Sequence, residues 1–193
     1  MQDKIRCSWC SDDPIYIDYH DKEWGRVEKN DQQLFEMLIL EGAQAGLSWI
    51  TVLKKRQHYR KVFHNFNVRK VAKMTDPELE LLLKDPGIIR NRLKVFATRK
   101  NALAFIEVQK EFGTFSKYIW SYVDAVPITN QFKALKEIPA NTALSDRIAK
   151  DLKKRNFTFI GSTIIYAYLQ AIGVVNDHQT DCFCYEPCLN QNT

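Results

Sequence analysis

The chain has 193 residues, of which 45% are hydrophobic and 26% charged, and its net charge is +5. That length suits one domain with a core that needs no disulfides, and the composition excludes a disordered chain or a collagen-like repeat. Seven Gly and six Pro disfavour a turn-rich all-β fold, while the positive charge permits a polyanionic partner without requiring one.

The middle of the chain reads as helices joined by short loops. Asp31 is the expected N-cap of the first, with Leu34, Phe35, Leu38 and Glu41 on one face and Gly42 and Gly46 at its end. Ser48 caps the next, which carries Ile50, Leu53 and, later, Phe63. Asn67 caps a short helix with Val68, Val71 and Met74. Thr75 and Glu78 form a capping box ahead of Leu79, Leu82 and Leu83. After the Asp85-Pro86-Gly87 turn, a long helical pattern runs from about Ile89 to Glu111 and stops at Gly113. Thr114 opens a short aromatic helix. Residues 124–141, with Pro127 and Pro139, read as loop. Ser145 to Asn156 is a helix with Leu144, Ile148 and Leu152 on one side and Arg147, Lys150 and Lys154 on the other. A hairpin at Phe159-Ile160-Gly161 leads to a last helix through Ile164, Ile165, Tyr168, Leu169 and Ile172, ended by Gly173. No strand is expected, and the fold class is all-α.

Five cysteines lie near the ends: Cys7 and Cys10, then Cys182, Cys184 and Cys188. An odd, terminal set does not suit a distributed disulfide framework, no secretory leader is visible, and no run reaches the ~18 apolar residues that span a bilayer. Reduced thiols in a cytoplasmic protein are the expectation. Cys7-x12-His20 and His178-x3-Cys182 together offer a Cys2His2 set suited to tetrahedral zinc. Cys10, Cys184 and Cys188 compete as ligands, and buried thiols with a turn-capping His178 would explain the same residues without metal.

Three further groupings carry chemistry. Glu41 continues an apolar stripe, so its carboxylate faces inward, either to a structural partner or to a ligand. Trp9, Tyr16, Tyr19, Trp24 and Trp49 are dense aromatics that either stack a flat ligand or clamp the N-terminal segment. The run Lys153-Lys154-Arg155 to Gly161-Ser162-Thr163 places a basic helix end beside a new helix N-terminus, which can hold a phosphate. A comparable turn lies at 86–92, and both are also ordinary helix connections. Lys54-Lys55-Arg56 and Arg60-Lys61 read as a solvated face.

Several segments carry a family resemblance. Cys7-Ser8-Trp9, the run Asp13 to Gly25, the run Leu34 to Met37, the run Leu40-Glu41-Gly42-Ala43-Gln44-Ala45-Gly46-Leu47-Ser48-Trp49, Gly87-Ile88-Ile89-Arg90, Trp120-Ser121-Tyr122-Val123 and Val175-Asn176-Asp177-His178 occur in order along the chain. Together they resemble the bacterial 3-methyladenine DNA glycosylase I family. The resemblance implies a single helix-hairpin-helix glycosylase domain over 1–193. Its helical body is 31–173, and its terminal segments, about 1–30 and 174–193, are joined by a structural zinc ion. Cys7, His20, His178 and Cys182 would be the ligands. Glu41 would be the carboxylate of a base pocket formed with Tyr16, Tyr19, Trp49, Trp9 and Trp24. Leu47, beside Gly46, would fill the gap left by an extruded base, and Gly161, Ser162, Thr163 and Lys154 would meet the DNA backbone. The implied activity is hydrolytic release of 3-methyladenine from duplex DNA by a monomer, with no membrane or obligate protein partner. Ser162-Thr163-Ile164 holds no lysine after the hairpin, so no strand cleavage is expected. Asp177 adjoins His178 and reads as a support for it. The alternative is a zinc-stapled helical module that binds alkylated DNA without cutting it.

Overall fold

The computed structural model describes residues 4–189. Its helices are α1 (Pro14–Lys22), α2 (Asp31–Gln44), α3 (Trp49–Leu53), α4 (Arg56–Val62), α5 (Val68–Ala72), α6 (Asp76–Leu82), α7 (Arg92–Phe112), α8 (Phe115–Trp120), α9 (Ala143–Lys154), α10 (Ser162–Ala171) and α11 (Tyr185–Leu189). No helix among the described residues is long and apolar enough to cross a membrane.

Helix α2 is the centre. Every residue from Leu34 to Ala43 is buried, not only the stripe at helical spacing. Helices α3, α7, α8 and α10 all pack on it. A helix surrounded on all sides loses the amphipathic signature, so its two glutamates, Glu36 and Glu41, are both inside.

Local capping chemistry sets most helix starts. Asn67 caps α5, the Thr75–Glu78 box caps α6, and Thr114 caps α8. Asn91 caps α7 and Thr142 caps α9, so each of these starts within three residues of expectation. The cap of α2 is Asn30, whose side chain accepts from the Gln32 and Gln33 amides. Asp31 does a different job: its carboxylate accepts from the Phe115 and Ser116 amides, tying the start of α2 to the start of α8. An acid next to a good Asn cap is free to serve the neighbouring helix N-terminus.

The expectation of no strand needs correction. Ile128–Thr129 (β1) pairs in parallel with Val175–Asn176 (β2). Two residues per strand leave no alternation to read. The ladder pins the 124–141 loop to the C-terminal segment.

The terminal segments meet across the helical body. The Gly25 amide donates to the Gln170 carbonyl, Glu28 to Ile172, and Phe183 to Ile5. Gly173 sits at φ +71°, and a Cβ there would lie 2.3 Å from the Arg26 backbone, so only glycine permits this crossing.

The basic run of α4 is also not a solvated face. Arg56 is 6% exposed and bonds Glu36 at 2.5 Å and Glu23 at 2.7 Å; Arg60 reaches Glu36 at 2.8 Å. Lys54 pairs with Asp13, and Lys55 donates to the Pro86 carbonyl. Charge density alone hid this, because the partners are 20 or more residues away in sequence.

Candidate functional site: an aromatic cleft beside a buried Cys/His cluster

The C-terminal half of α2, α1 and α10 enclose a cleft of about 220 Å³. Trp9, Tyr16, Tyr19, Trp24, Glu41 and Trp49 line it, together with Gln44 and Gln170. All six aromatic and acidic residues singled out from sequence therefore come together. The rings are mutually tilted: Trp9–Tyr16 at 5.2 Å, Trp9–Trp24 at 4.8 Å, Tyr19–Trp49 at 5.3 Å. Leu135 and Ile138, from the loop before α9, and Ala167, from α10, complete the wall. No spacing pattern pointed to those three.

Glu41 is 4% exposed, and no hydrogen bond or ion pair reaches it among the described residues. Burial pushes its carboxyl up to about 8. The indole N–H groups of Trp9 and Trp49 are also buried without a partner. Buried polar atoms are normally satisfied, so three orphans on one cleft mark where a ligand's polar atoms fit. Glu36, one and a half turns earlier, shows the contrast, since two arginines hold it.

The end of α2 is fixed from outside. Its last turn has no basic residue. Instead Lys94 Nζ, from α7, donates to the Ala43 carbonyl at 2.9 Å and the Ala45 carbonyl at 2.6 Å. A cation on the last carbonyls satisfies them and complements the helix dipole. Beyond this clamp, Gly46 adopts φ +81° and Leu47 stands 41% exposed at the turn into α3. Sequence reasoning missed Lys94, because nothing local announces a clamp 49 residues away.

The second feature lies behind Trp9 and Trp24. Cys7, His20, His178 and Cys182 are all buried, with one donor atom from each within 4.8 Å of the others. Cys7 Sγ is 3.4 Å and Cys182 Sγ 3.6 Å from His178 Nδ1; Cys182 Sγ is 3.5 Å from His20 Nε2. Sulfur and nitrogen ligands on one tetrahedral zinc stand about 3.5 Å apart, given Zn–S near 2.3 Å and Zn–N near 2.05 Å. The remaining ring nitrogens are engaged: His20 Nδ1 with Asp21 at 2.8 Å, His178 Nε2 with the Trp24 carbonyl at 3.0 Å. Nδ1 of His178 and Nε2 of His20 then face the two thiols, the latter also accepting from the Cys7 amide at 3.3 Å. The Gln179 amide donates to Cys7 Sγ and the Cys184 amide to Cys182 Sγ. The Cys184 and Cys7 thiols, then the imidazoles, hold the Cys182 thiol well below its ordinary value, while the hydrogen bond to Cys182 pushes the Cys7 thiol up, so the pair favours one thiolate. The cluster can therefore hold a metal ion.

The competing cysteines take other places. Cys10 is half-buried, with Sγ on the Ser11 carbonyl. Cys184 is near His20 and Asp21, but the His20 nitrogen on that side is bound to Asp21. Cys188 is buried near Gly25. Gly25 itself has φ +74°, and a Cβ there would meet the His178 ring at 2.9 Å.

The α9–α10 connection is the third feature. Asn156 and Phe159 carry its positive φ values, not Gly161, which has φ −58° and caps α10. No side chain caps that helix start, and a Cβ on Gly161 would meet nothing within 4 Å. Thr163 and Lys154 are exposed beside it. The Ser162 hydroxyl bonds the Ser145 hydroxyl at 2.8 Å. Arg155 is held by Glu111 and Asp151 rather than left to a ligand. The turn at 86–92 differs: a Cβ on Gly87 would lie 2.2 Å from the His58 ring, so that turn is packed rather than open.

Comparison with known proteins matches this geometry. The profile of the methyladenine glycosylase family matches residues 9–185. DNA-3-methyladenine glycosylase 1 of Escherichia coli strain K12 is 51% identical over 93% of this chain and 96% of its own. The DNA-3-methyladenine glycosylase of Haemophilus influenzae is 50% identical over 93% and 97%. A crystal structure of 3-methyladenine DNA glycosylase I superposes with a TM-score of 0.92 at 50% identity, covering 94% of this chain and all of that one. A Staphylococcus aureus structure, described for its recognition of 3-methyladenine, superposes at 0.90 with 34% identity, covering 93% and 96%. This chain belongs to the methyladenine glycosylase family.

Proposed function

We propose that this protein excises 3-methyladenine from alkylated duplex DNA. Membership of the family supports the reaction, and the observation that carries its placement is the unpartnered Glu41 carboxyl in an aromatic cleft. Methylation at N3 makes the nucleotide's base cationic and weakens its glycosidic bond. Extruding such a base costs a few kcal/mol, and less than for an undamaged one. Electron-rich rings attract a delocalised cation, at ~0.5–2 kcal/mol each when desolvated. Glu41 is held largely protonated without a partner; a cationic base supplies the missing counter-charge, and the carboxylate then accepts base N–H groups. Water adds its oxygen to the anomeric carbon and loses a proton, while the base departs neutral with the bonding pair.

The reaction stops there. Among the described residues lining the cleft there is no lysine, and Lys94 Nζ is held by two carbonyls, so none of these offers an amine to attack the sugar. Leu47 fills the space of the extruded base beside Gly46, and the Gly161–Thr163 amides with Lys154 hold the phosphates in a helix-hairpin-helix contact. Cys7, His20, His178 and Cys182 hold a structural zinc ion, which would cross-link the terminal segments and keep Trp24 in the cleft wall. The protein acts as a monomer in the cytoplasm, where its thiols stay reduced. A module that binds only the DNA backbone has no use for an inward carboxylate among these rings. Incubating the protein with methylated duplex should release 3-methyladenine above a buffer control; no release would sink the proposal.

A further inference from the structure

Gln170 lines the cleft from α10, three residues beyond Ala167 and so on the same helix face. Its side-chain amide is not free to turn. Nε2 donates to Asp177 Oδ2 at 2.7 Å. Asp177 is fully buried and is fixed in turn by the Tyr166 hydroxyl at 2.5 Å and Asn130 Nδ2 at 2.7 Å. A carboxylate accepts and does not donate, so it dictates which end of the Gln170 amide faces it. The amide nitrogen is thereby committed to Asp177. Oε1 remains, and no donor reaches it among the described residues.

Gln44, the other amide on the cleft, makes no side-chain hydrogen bond among the described residues and can present either end. Gln170 cannot. On the reading of this cleft as the base pocket, the Gln170 carbonyl oxygen is an acceptor of fixed character, the Trp9 and Trp49 indoles are donors only, and the Glu41 carboxyl becomes a second acceptor once a cationic base ionises it. An exocyclic amine at C6 of a purine carries two hydrogens, one for each acceptor. A carbonyl at C6 would instead set oxygen against oxygen at Gln170, and a buried acceptor without a donor is costly. We propose that Gln170, its amide locked by Asp177, is a specificity-determining residue that selects methylated purines bearing a C6 amine over those bearing a C6 carbonyl. Asp177 is then a positioning residue, acting on the base only through Gln170.

The test compares free 3-methyladenine with 3-methylhypoxanthine, which differs in having a carbonyl at C6. Each is titrated into the zinc-loaded protein, and tryptophan fluorescence is followed. The wild-type protein should favour the amine base by tenfold or more. Gln170→Leu should reduce that ratio to within about threefold, chiefly by weakening the amine base. Asp177→Asn lets the amide rotate, so it should shrink the ratio as well. Metal content and thermal midpoint identify any variant damaged in folding, and either variant alone decides the question. An unchanged ratio in a folded Gln170→Leu protein overturns the inference and leaves the proposed function standing. Failure of the wild-type protein to bind either base overturns both.

Discussion

Glu36 and Glu41 lie five residues apart on α2, both buried, and only Glu36 has partners. Arg56 and Arg60 neutralise it, whereas Glu41 meets two orphaned indoles and an open cleft. One helix thus shows a carboxylate used for the fold and a carboxylate kept for a ligand.

The two should respond oppositely to mutation. Arg56→Met strands part of the Glu36 charge in the core and cuts the link to Glu23, so it should cost about 3 kcal/mol. Denaturant unfolding measures this. A loss under about 0.5 kcal/mol would show that the network is not needed for folding.

Glu41→Gln should stabilise the unliganded protein in a pH-dependent way. The unfolded chain ionises Glu41 near its ordinary value of 4.5, while the native chain keeps the proton until about 8. Between those values the native state binds more protons, so wild-type stability falls as pH rises and levels off above 8. The gap is on the order of 5 kcal/mol. Unfolding curves of both proteins should coincide near pH 4 and diverge towards pH 8, with the glutamine protein ahead. Parallel curves across that range would place a counter-charge beside Glu41.

The Cys/His cluster makes a compositional prediction. Elemental analysis should find one zinc ion per chain, and chelation should lower the thermal midpoint by ten degrees or more, because metal-binding energy is folding energy. Trp24 links this cluster to the cleft, its carbonyl on His178 and its ring 4.6 Å from that imidazole. Chelation should therefore also weaken 3-methyladenine binding. A metal-free protein of unchanged midpoint would refute the staple.

Two glycines separate packing from recognition. Gly87→Ala forces a Cβ into the His58 ring and should destabilise the fold by 1–3 kcal/mol. Gly161→Ala enters open space with an ordinary φ, so stability should hold. A methyl beside the uncapped start of α10 should nevertheless weaken duplex binding severalfold and reduce its salt dependence. Unchanged affinity would remove this helix start from the DNA interface.

Caps and turns were readable because each depends on residues close together in sequence, whereas the Cys/His set joins residues 171 apart and was chosen from five cysteines by the family resemblance. Asn67, Thr75 and Thr114 cap as expected for that reason. Glu41 was also readable as inward, although the helix is buried all round rather than along one stripe. Arg56, Lys94 and Gln170 were not, because their roles come from partners on other elements. A basic run looks the same whether solvated or paired with Glu36. The β1–β2 ladder, two residues long, fell below any periodic signal.

The account rests on Glu41 as the group that recognises the methylated base. The most direct test is single-turnover release of 3-methyladenine from methylated duplex by the wild-type and Glu41→Gln proteins at pH 7.5. The account predicts release by the wild-type protein and a rate lower by about tenfold to a hundredfold in the variant, the loss of a charge-assisted hydrogen bond, with folding intact. Equal rates from the two proteins would contradict it.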